Sequence, residues 1–188
     1  MTQFHPFQRG IFHITTNAKD KEPWCTFGDT PYILISNLMI TKHLHNARIY
    51  AFCILPDHMH IIMKTGRYGI STFMKSFKEN SSREIRRYRK HLADSPDVDV
   101  GSGDAVVAAE FPIRPAVAAD SPIATDRFGG VFHGWQHGFD SSYIKKDEPM
   151  PRLLRYVHHN AARHRLVRSA DDWPWTSLHF RRLLDEIK

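Results

Sequence analysis

Cysteine is scarce in this chain of 188 residues: there are two, Cys25 and Cys53, too few and too far apart for a metal motif. Cys53 lies in the apolar run Tyr50-Ala51-Phe52-Cys53-Ile54-Leu55, which reads as the setting of a buried free thiol. Nothing in that count supports a disulfide framework, and a reducing compartment fits. Long apolar runs are absent too, and none approaches the roughly 20 residues that a membrane-spanning helix needs. The first residues, Met1-Thr2-Gln3-Phe4-His5-Pro6, lack the apolar centre of a signal peptide. The expectation is a cytoplasmic protein with no membrane partner.

Acidic residues are scarce outside one segment. Residues 91–130 hold seven acidic and two basic residues, whereas the rest of the chain holds 24 basic against 13 acidic, a net +11 where the whole chain is +6. A surface that basic collects polyanions, and nucleic acid is the usual one. The acidic segment is also poor in aromatics, shows no sustained period and is dominated by Ala, Asp, Pro, Ser and Gly. It reads as a flexible insertion at about 91–130 within one domain that spans 1–188. Hydrophobic content of 41% and charged content of 24% suit a soluble globular fold of that size. No internal repeat is present.

The elements follow from local pattern. Gly10 to Asn17 is β-branched and aromatic with partial alternation, which predicts a strand. Asp29-Thr30-Pro31 marks a helix start, with the helix running to about His45. Arg48 to Leu55 and His58 to Lys64 read as two strands joined by a tight turn at Pro56-Asp57. Ser71 is expected to cap a long second helix. After the insertion, Gly130 to Trp135 and Phe139 to Lys145 look like short strands, and a third helix is expected from about Asp147 to His164. Asp172-Trp173-Pro174-Trp175 forms a rigid aromatic turn before a short closing helix. Strand, helix, hairpin, helix, strand, helix is an α+β order: a ferredoxin-like split βαβ antiparallel sheet, helices on one face, and a separate third helix, with the other face of the sheet free to build a site.

Two His-apolar-His triplets occur, His43-Leu44-His45 and His58-Met59-His60. On a helix, residues two apart project about 200° from one another, so His43 and His45 cannot chelate one ion. On a strand they share a face, so His58 and His60 can meet at a metal while Met59 enters the core. The alternation equally fits a solvent-facing strand, and two imidazoles need a third ligand. On the third helix, Tyr156 and Asn160 are four residues apart and face one space. That pair also fits an ordinary amphipathic helix.

Several segments carry a resemblance. Leu55-Pro56-Asp57-His58-Met59-His60-Ile61-Ile62 resembles the His-apolar-His strand of the REP-associated tyrosine transposases, single-tyrosine enzymes of the HUH class. Trp135 to Asp140 and Tyr143 to Glu148 are similar to that family's approach to its catalytic helix. Arg155 to Asn160 is similar to its Tyr-Ile-His-x-Asn segment, and Asp171 to Ser177 to its C-terminal signature. The match covers roughly residues 10–90 and 130–180, in order. It implies Tyr156 as nucleophile, His58 and His60 as metal ligands, and Asn160 completing the site. It implies Mg²⁺, where imidazole ligation shades the choice towards Mn²⁺. It implies single-stranded or hairpin DNA as substrate, cleaved through a 5′-phosphotyrosine. The chain departs from the pattern in having Ala161-Ala162 where Pro-Val is usual, Asp57 where Asn is usual, and the acidic insertion.

The basic residues agree in kind. Arg83, Arg86, Arg87, Arg89 and Lys90, with Arg163, Arg165 and Arg168, suit phosphate contacts. Trp135, Trp173 and Trp175 could stack on bases, although packing suits Trp173 and Trp175 better. The sequence does not place His13, His158 and His159 relative to the metal, nor decide monomer against homodimer or cis against trans action of Tyr156. Two other function classes fit the same residues: a domesticated module that holds hairpin nucleic acid without cutting, and a phosphoesterase whose histidines activate water.

Overall fold

In the computed structural model, residues 7–94 and 132–187 are described. The strands are β1 (Ile11–Asn17), β2 (Arg48–Ile54), β3 (His58–Lys64) and β4 (Asp140–Ile144), in an antiparallel sheet of order β2-β3-β1-β4. Helix α1 (Thr30–His45) links β1 to β2, and α2 (Ile70–Asp94) precedes β4 in the chain. This is the expected split βαβ arrangement.

Strand alternation divides the sheet into two unlike faces. Phe12, Ile14 and Thr16 of β1 are buried on one face with Met59, Ile61 and Met63 of β3. That face forms the main core, under the mutually packed α1 and α2, because right-handed crossovers put both helices on one side. Helix α1 is apolar almost all round, so it is buried on most of its surface, with Ile40 and Leu44 left exposed. The other face carries His13, Thr15 and Asn17, whose register partners are Ile62, His60 and His58.

Helix α3 (Met150–His158) lies on this second face, in contact with β2 and β3. Its Val157 and the following Ala161 are fully buried, which anchors the helix to the sheet. The expected continuous helix from Asp147 to His164 is instead shorter and broken. It starts at Met150 after Pro149, then stops at His159 (φ −85°, ψ 4°) before the short α4 (Asn160–Arg163). At the break the Asn160 side chain donates to the Tyr156 carbonyl at 3.4 Å. In an unbroken helix Asn160's own backbone N–H would take that carbonyl, so the side chain competes with the helix ladder.

Three further expectations are corrected. Helix α2 begins one residue before Ser71, at Ile70, and Gln8 satisfies its first N–H groups: the Gln8 carbonyl accepts from Ile70, and its side chain from Ser71 at 3.3 Å. The helix also continues through His91 to Asp94, four residues into the expected insertion; residues 95–130 of that insertion lie outside the described residues. Of the expected strand from Gly130 to Trp135, Phe132, His133 and Gly134 are irregular and Trp135 makes only an isolated bridge to Ala18; Gly130 and Val131 lie outside the described residues.

The C-terminal segment closes the free edge of β2. Ile54 donates to the Trp175 carbonyl at 2.9 Å, Phe52 to the Ser177 hydroxyl at 3.0 Å, and Ile49 exchanges bonds with Asp185. An edge occupied in this way offers no row of bare N–H and C=O groups to another strand. The closing segment Ser177–Leu183 is a 3-10 helix, and Trp173 and Trp175 are buried beneath it as packing residues.

Candidate functional site

The histidine pair sits on β3 as strand geometry requires. His58 and His60 project from one face with ring centroids 5.0 Å apart, and Met59 points into the core. Both histidines are buried, so the solvent-facing strand is not what forms. Burial, more than neighbouring charge, decides their protonation. It outweighs the Asp57 carboxylate and holds His58 below the ordinary imidazole range. For His60 burial, reinforced by His13, His58, His164 and Lys21, pushes the value down to about 3. Both rings are therefore neutral near pH 7 and keep a lone pair.

Each ring is committed through Nδ1. His58 Nδ1 lies 2.6 Å from Asp57 Oδ1, and His60 Nδ1 lies 3.0 Å from Thr15 Oγ1 and 3.2 Å from His13 Nε2. Neither Nε2 has a hydrogen-bond partner among the described residues. One ring nitrogen tied to a carboxylate or hydroxyl and the other left open is the pattern that prepares imidazole for a metal. Asp57 thus acts on the site through His58. Burial alone would raise its pKa, but the His58 bond and the His58 and Lys21 charges hold it below the usual carboxylate range.

Tyr156 reaches the same place from α3. Its ring stands edge-on to His13 at 5.5 Å and to His60 at 6.0 Å, and it keeps 37% exposure. Asn160, one turn on, is buried, with its amide nitrogen on the Tyr156 carbonyl and its amide oxygen free of a described hydrogen bond. Among the described residues, no group of three or more His, Cys, Asp and Glu side chains could hold a metal ion. His58 and His60 supply two such donors on β3, and Asn160 on the facing helical segment carries an amide oxygen.

The remaining basic and aromatic candidates divide. Arg163 is brought in, its guanidinium 5.0 Å from the Tyr156 ring centroid. Arg165 follows it in the left-handed region at φ 59°. The run on α2 belongs to the opposite layer. Arg86 and Arg89 lie over the Phe132 ring, Arg87 pairs with Glu84 at 2.7 Å, and half-buried Arg89 pairs with Glu22 at 3.8 Å. Arg83 and Lys90 are exposed there. Trp135 is core, edge-on to Trp24 at 4.7 Å with its indole N–H on Ser81, and so is not free to stack on bases. His158 bonds Ser177 at 2.9 Å, and His159 is exposed. Sequence reasoning missed His164, whose ring is 5.2 Å from His58, and left His13 unplaced. Partial alternation in β1 could have flagged His13; nothing local marks His164.

The strand pair, its Nδ1 partners and the tyrosine lie together on one face of the sheet. Residues 8–97 match the family of IS200-like transposases. The resemblance read from the motifs holds. A Haemophilus influenzae (strain ATCC 51907 / DSM 11121 / KW20 / Rd) protein described as "Putative REP-associated tyrosine transposase" is 24% identical over 135 residues, 69% of this chain. The match spans only 57% of that relative's length. A solved structure of a REP-associated tyrosine transposase bound to a REP hairpin superimposes with a TM-score of 0.61 at 18% identity. It covers 99% of this chain and 89% of the other. At that identity the likeness establishes the shared fold. No helix among the described residues is long and apolar enough to cross a membrane.

Proposed function

We propose that this chain is a metal-dependent endonuclease and strand transferase, transposase-like, that acts on single-stranded DNA folded as a hairpin through a 5′-phosphotyrosine at Tyr156. The observation that carries the reading is the placement of a part-exposed tyrosine against the neutral imidazoles of His13 and His60 on its own chain. A surface tyrosine with no task has no reason to meet a desolvated histidine cluster. The arrangement also favours action in cis.

The residues that would hold the ion are His58 and His60 through Nε2 and Asn160 through its amide oxygen. When bound, Mg²⁺ or Mn²⁺ supplies Lewis-acid polarisation of the scissile phosphate. The chain supplies the rest. A neutral phenol, with an ordinary pKa of about 10, is a weak nucleophile, so the phosphate must be polarised and the hydroxyl aligned. Tyr156 Oη attacks phosphorus, the bond from phosphorus to the 3′ oxygen breaks, and that oxygen leaves carrying a proton in place of the one the phenol loses. The phosphate stays on the 5′ side, joined to Tyr156. Because the covalent link conserves the phosphodiester's energy, a 3′ hydroxyl can reverse the step without a nucleotide cofactor. That is the logic of DNA transposition and recombination as opposed to hydrolysis. Arg163, over the tyrosine ring, is placed to offset phosphate charge.

Covalent trapping tests this. The protein is incubated with labelled single-stranded hairpins from its own genomic neighbourhood and Mg²⁺ or Mn²⁺, then run on a denaturing gel. A metal-dependent protein–DNA adduct in the wild type, absent in Tyr156→Phe, is the expected result. Tight hairpin binding with neither adduct nor cut would replace the reading with that of a binding module. Cutting that survives Tyr156→Phe would replace it with a phosphoesterase.

A further inference from the structure

We infer that the loop 134–138, clamped at the His58 end of the sheet, reads one base of the bound hairpin: Gln136 selects an adenine, and Lys78 is the positioning residue that holds the loop in place. The inference rests on the hairpin-DNA reading above. The loop runs from Gly134 to Gly138, both in the left-handed region at φ 72° and 76°, which glycine alone adopts without strain. Its backbone is held from three sides. Gln136 N–H donates to the Asn17 carbonyl at 2.8 Å, and Lys19 N–H donates to the Gly134 carbonyl at 2.8 Å. From α2, the Lys78 ammonium donates to the carbonyls of both Gln136 and Gly138. Trp135, buried and bonded to Ser81 at 2.9 Å, roots the loop in the core.

That restraint serves side chains that pack against nothing polar. Burial pulls half-buried Lys78 down to about 8, and no carboxylate among the described residues pairs with it. Desolvating a cation without a counter-charge is unfavourable, so the loop is held at a cost in stability. Yet Gln136 and His137 at its tip are exposed, and their side chains make no hydrogen bond among the described residues. Asn17, which accepts from Gln136, is the register partner of His58. Gln136 therefore lies two strand spacings from the ligand strand, about 10 Å. That is too far to touch the reacting phosphate and near enough for a nucleotide beside the cut. Exposed Lys19 and Lys21 stand at the same end and suit phosphates. A rigidly held amide suits a base edge, because it donates and accepts at once, and the bidentate partner of Gln is adenine, through N6 and N7.

The test is equilibrium binding of a fluorescein-labelled hairpin from the protein's own genomic neighbourhood, against a panel with each base replaced in turn. EDTA is present so that no cutting intervenes. The wild type should lose about 5- to 150-fold in affinity when one particular adenine is replaced, and Gln136→Ala should bind that altered hairpin and the original alike. Its dependence of affinity on salt should match the wild type. Lys19→Met, by contrast, should weaken every panel member and flatten the salt slope by about 0.7–0.9. Lys78→Met should speed hydrogen exchange across the loop and show the same loss of discrimination, whereas Gln136→Ala should leave exchange unchanged. Being at an exposed position, Gln136→Ala keeps the test open should Lys78→Met misfold. The inference is overturned if the wild type binds the whole panel alike, if Gln136→Ala weakens every member by one factor, or if it discriminates as the wild type does. Unchanged exchange in Lys78→Met would remove the positioning role from Lys78. Absence of a covalent adduct would overturn the strand-transfer reading alone, because base reading is measured without metal or cutting.

Discussion

Acid should unfold this protein by a route traceable to the histidine cluster. His60 is held at about 3 when folded, against an ordinary value of 6.5. Its folded pKa lies below the unfolded one, so between those values the unfolded chain carries a proton that the folded chain refuses. Stability is then fully present above about pH 6.5 and falls as pH drops towards 3, at up to about 1.4 kcal/mol per unit for each such group. From pH 7.5 to 4.5 the single group removes roughly 2–3 kcal/mol, a large share of the roughly 5–15 kcal/mol that stabilises a domain. His13 and His58 are also lowered by burial and add loss of the same sign. The assay is urea unfolding followed by tryptophan fluorescence at pH 7.5, 6.5, 5.5 and 4.5, with EDTA present so that no metal contributes. His60→Gln, which cannot titrate, should show a shallower decline by about 2–3 kcal/mol over that range. A wild-type profile that is flat to pH 4.5, or a His60→Gln profile parallel to it, would refute the reasoning that burial keeps His60 neutral.

Four other outcomes follow from geometry. Arg165→Gly should stabilise the fold by up to about 1 kcal/mol in urea melts, because a left-handed backbone strains any residue with a Cβ; its DNA affinity should fall if the arginine also meets phosphate. Trp173→Phe should cost about 2–4 kcal/mol and loosen the C-terminal segment in hydrogen exchange, since Trp173 is buried and its indole N–H donates to the Ile54 carbonyl at 2.8 Å. Arg89→Ala should lower the melting temperature with little change in the salt dependence of hairpin binding, because Arg89 is tied to Glu22 and Phe132. Exposed Arg83→Ala should leave melting unchanged.

The strand-helix-hairpin-helix order was open to sequence reading, since alternation in β1 and the Pro56-Asp57 turn are local signals that depend on a few neighbouring residues. The histidine pair was legible for the same reason: a period of two on a strand puts His58 and His60 together whatever surrounds them. Tyr156 and Asn160 share a turn by helical periodicity alone, although the break at His159 was not foreseen. At that break the Asn160 side chain makes a long, weak contact of 3.4 Å with the Tyr156 carbonyl, a side-chain-to-helix interaction that no pattern expresses.

Tertiary structure decided what surrounds these residues. Lining up β1 beside β3 brings His13, 47 positions earlier in the chain, to His60, and packing α3 on that face brings Tyr156 to both. Phe132, on the far side of the acidic segment, sits under the guanidinium groups of exposed Arg86 and half-buried Arg89, two arginines of a seemingly free basic run. The sequence by itself determined most of the sheet, the pairing of His58 with His60 on one strand face and the shared helical turn of Tyr156 and Asn160, because each rests on local periodicity. Only the folded chain determined the ring contacts, the buried and neutral state of the histidines and which arginine meets the tyrosine, because those depend on long-range register and on water excluded by elements far apart in sequence.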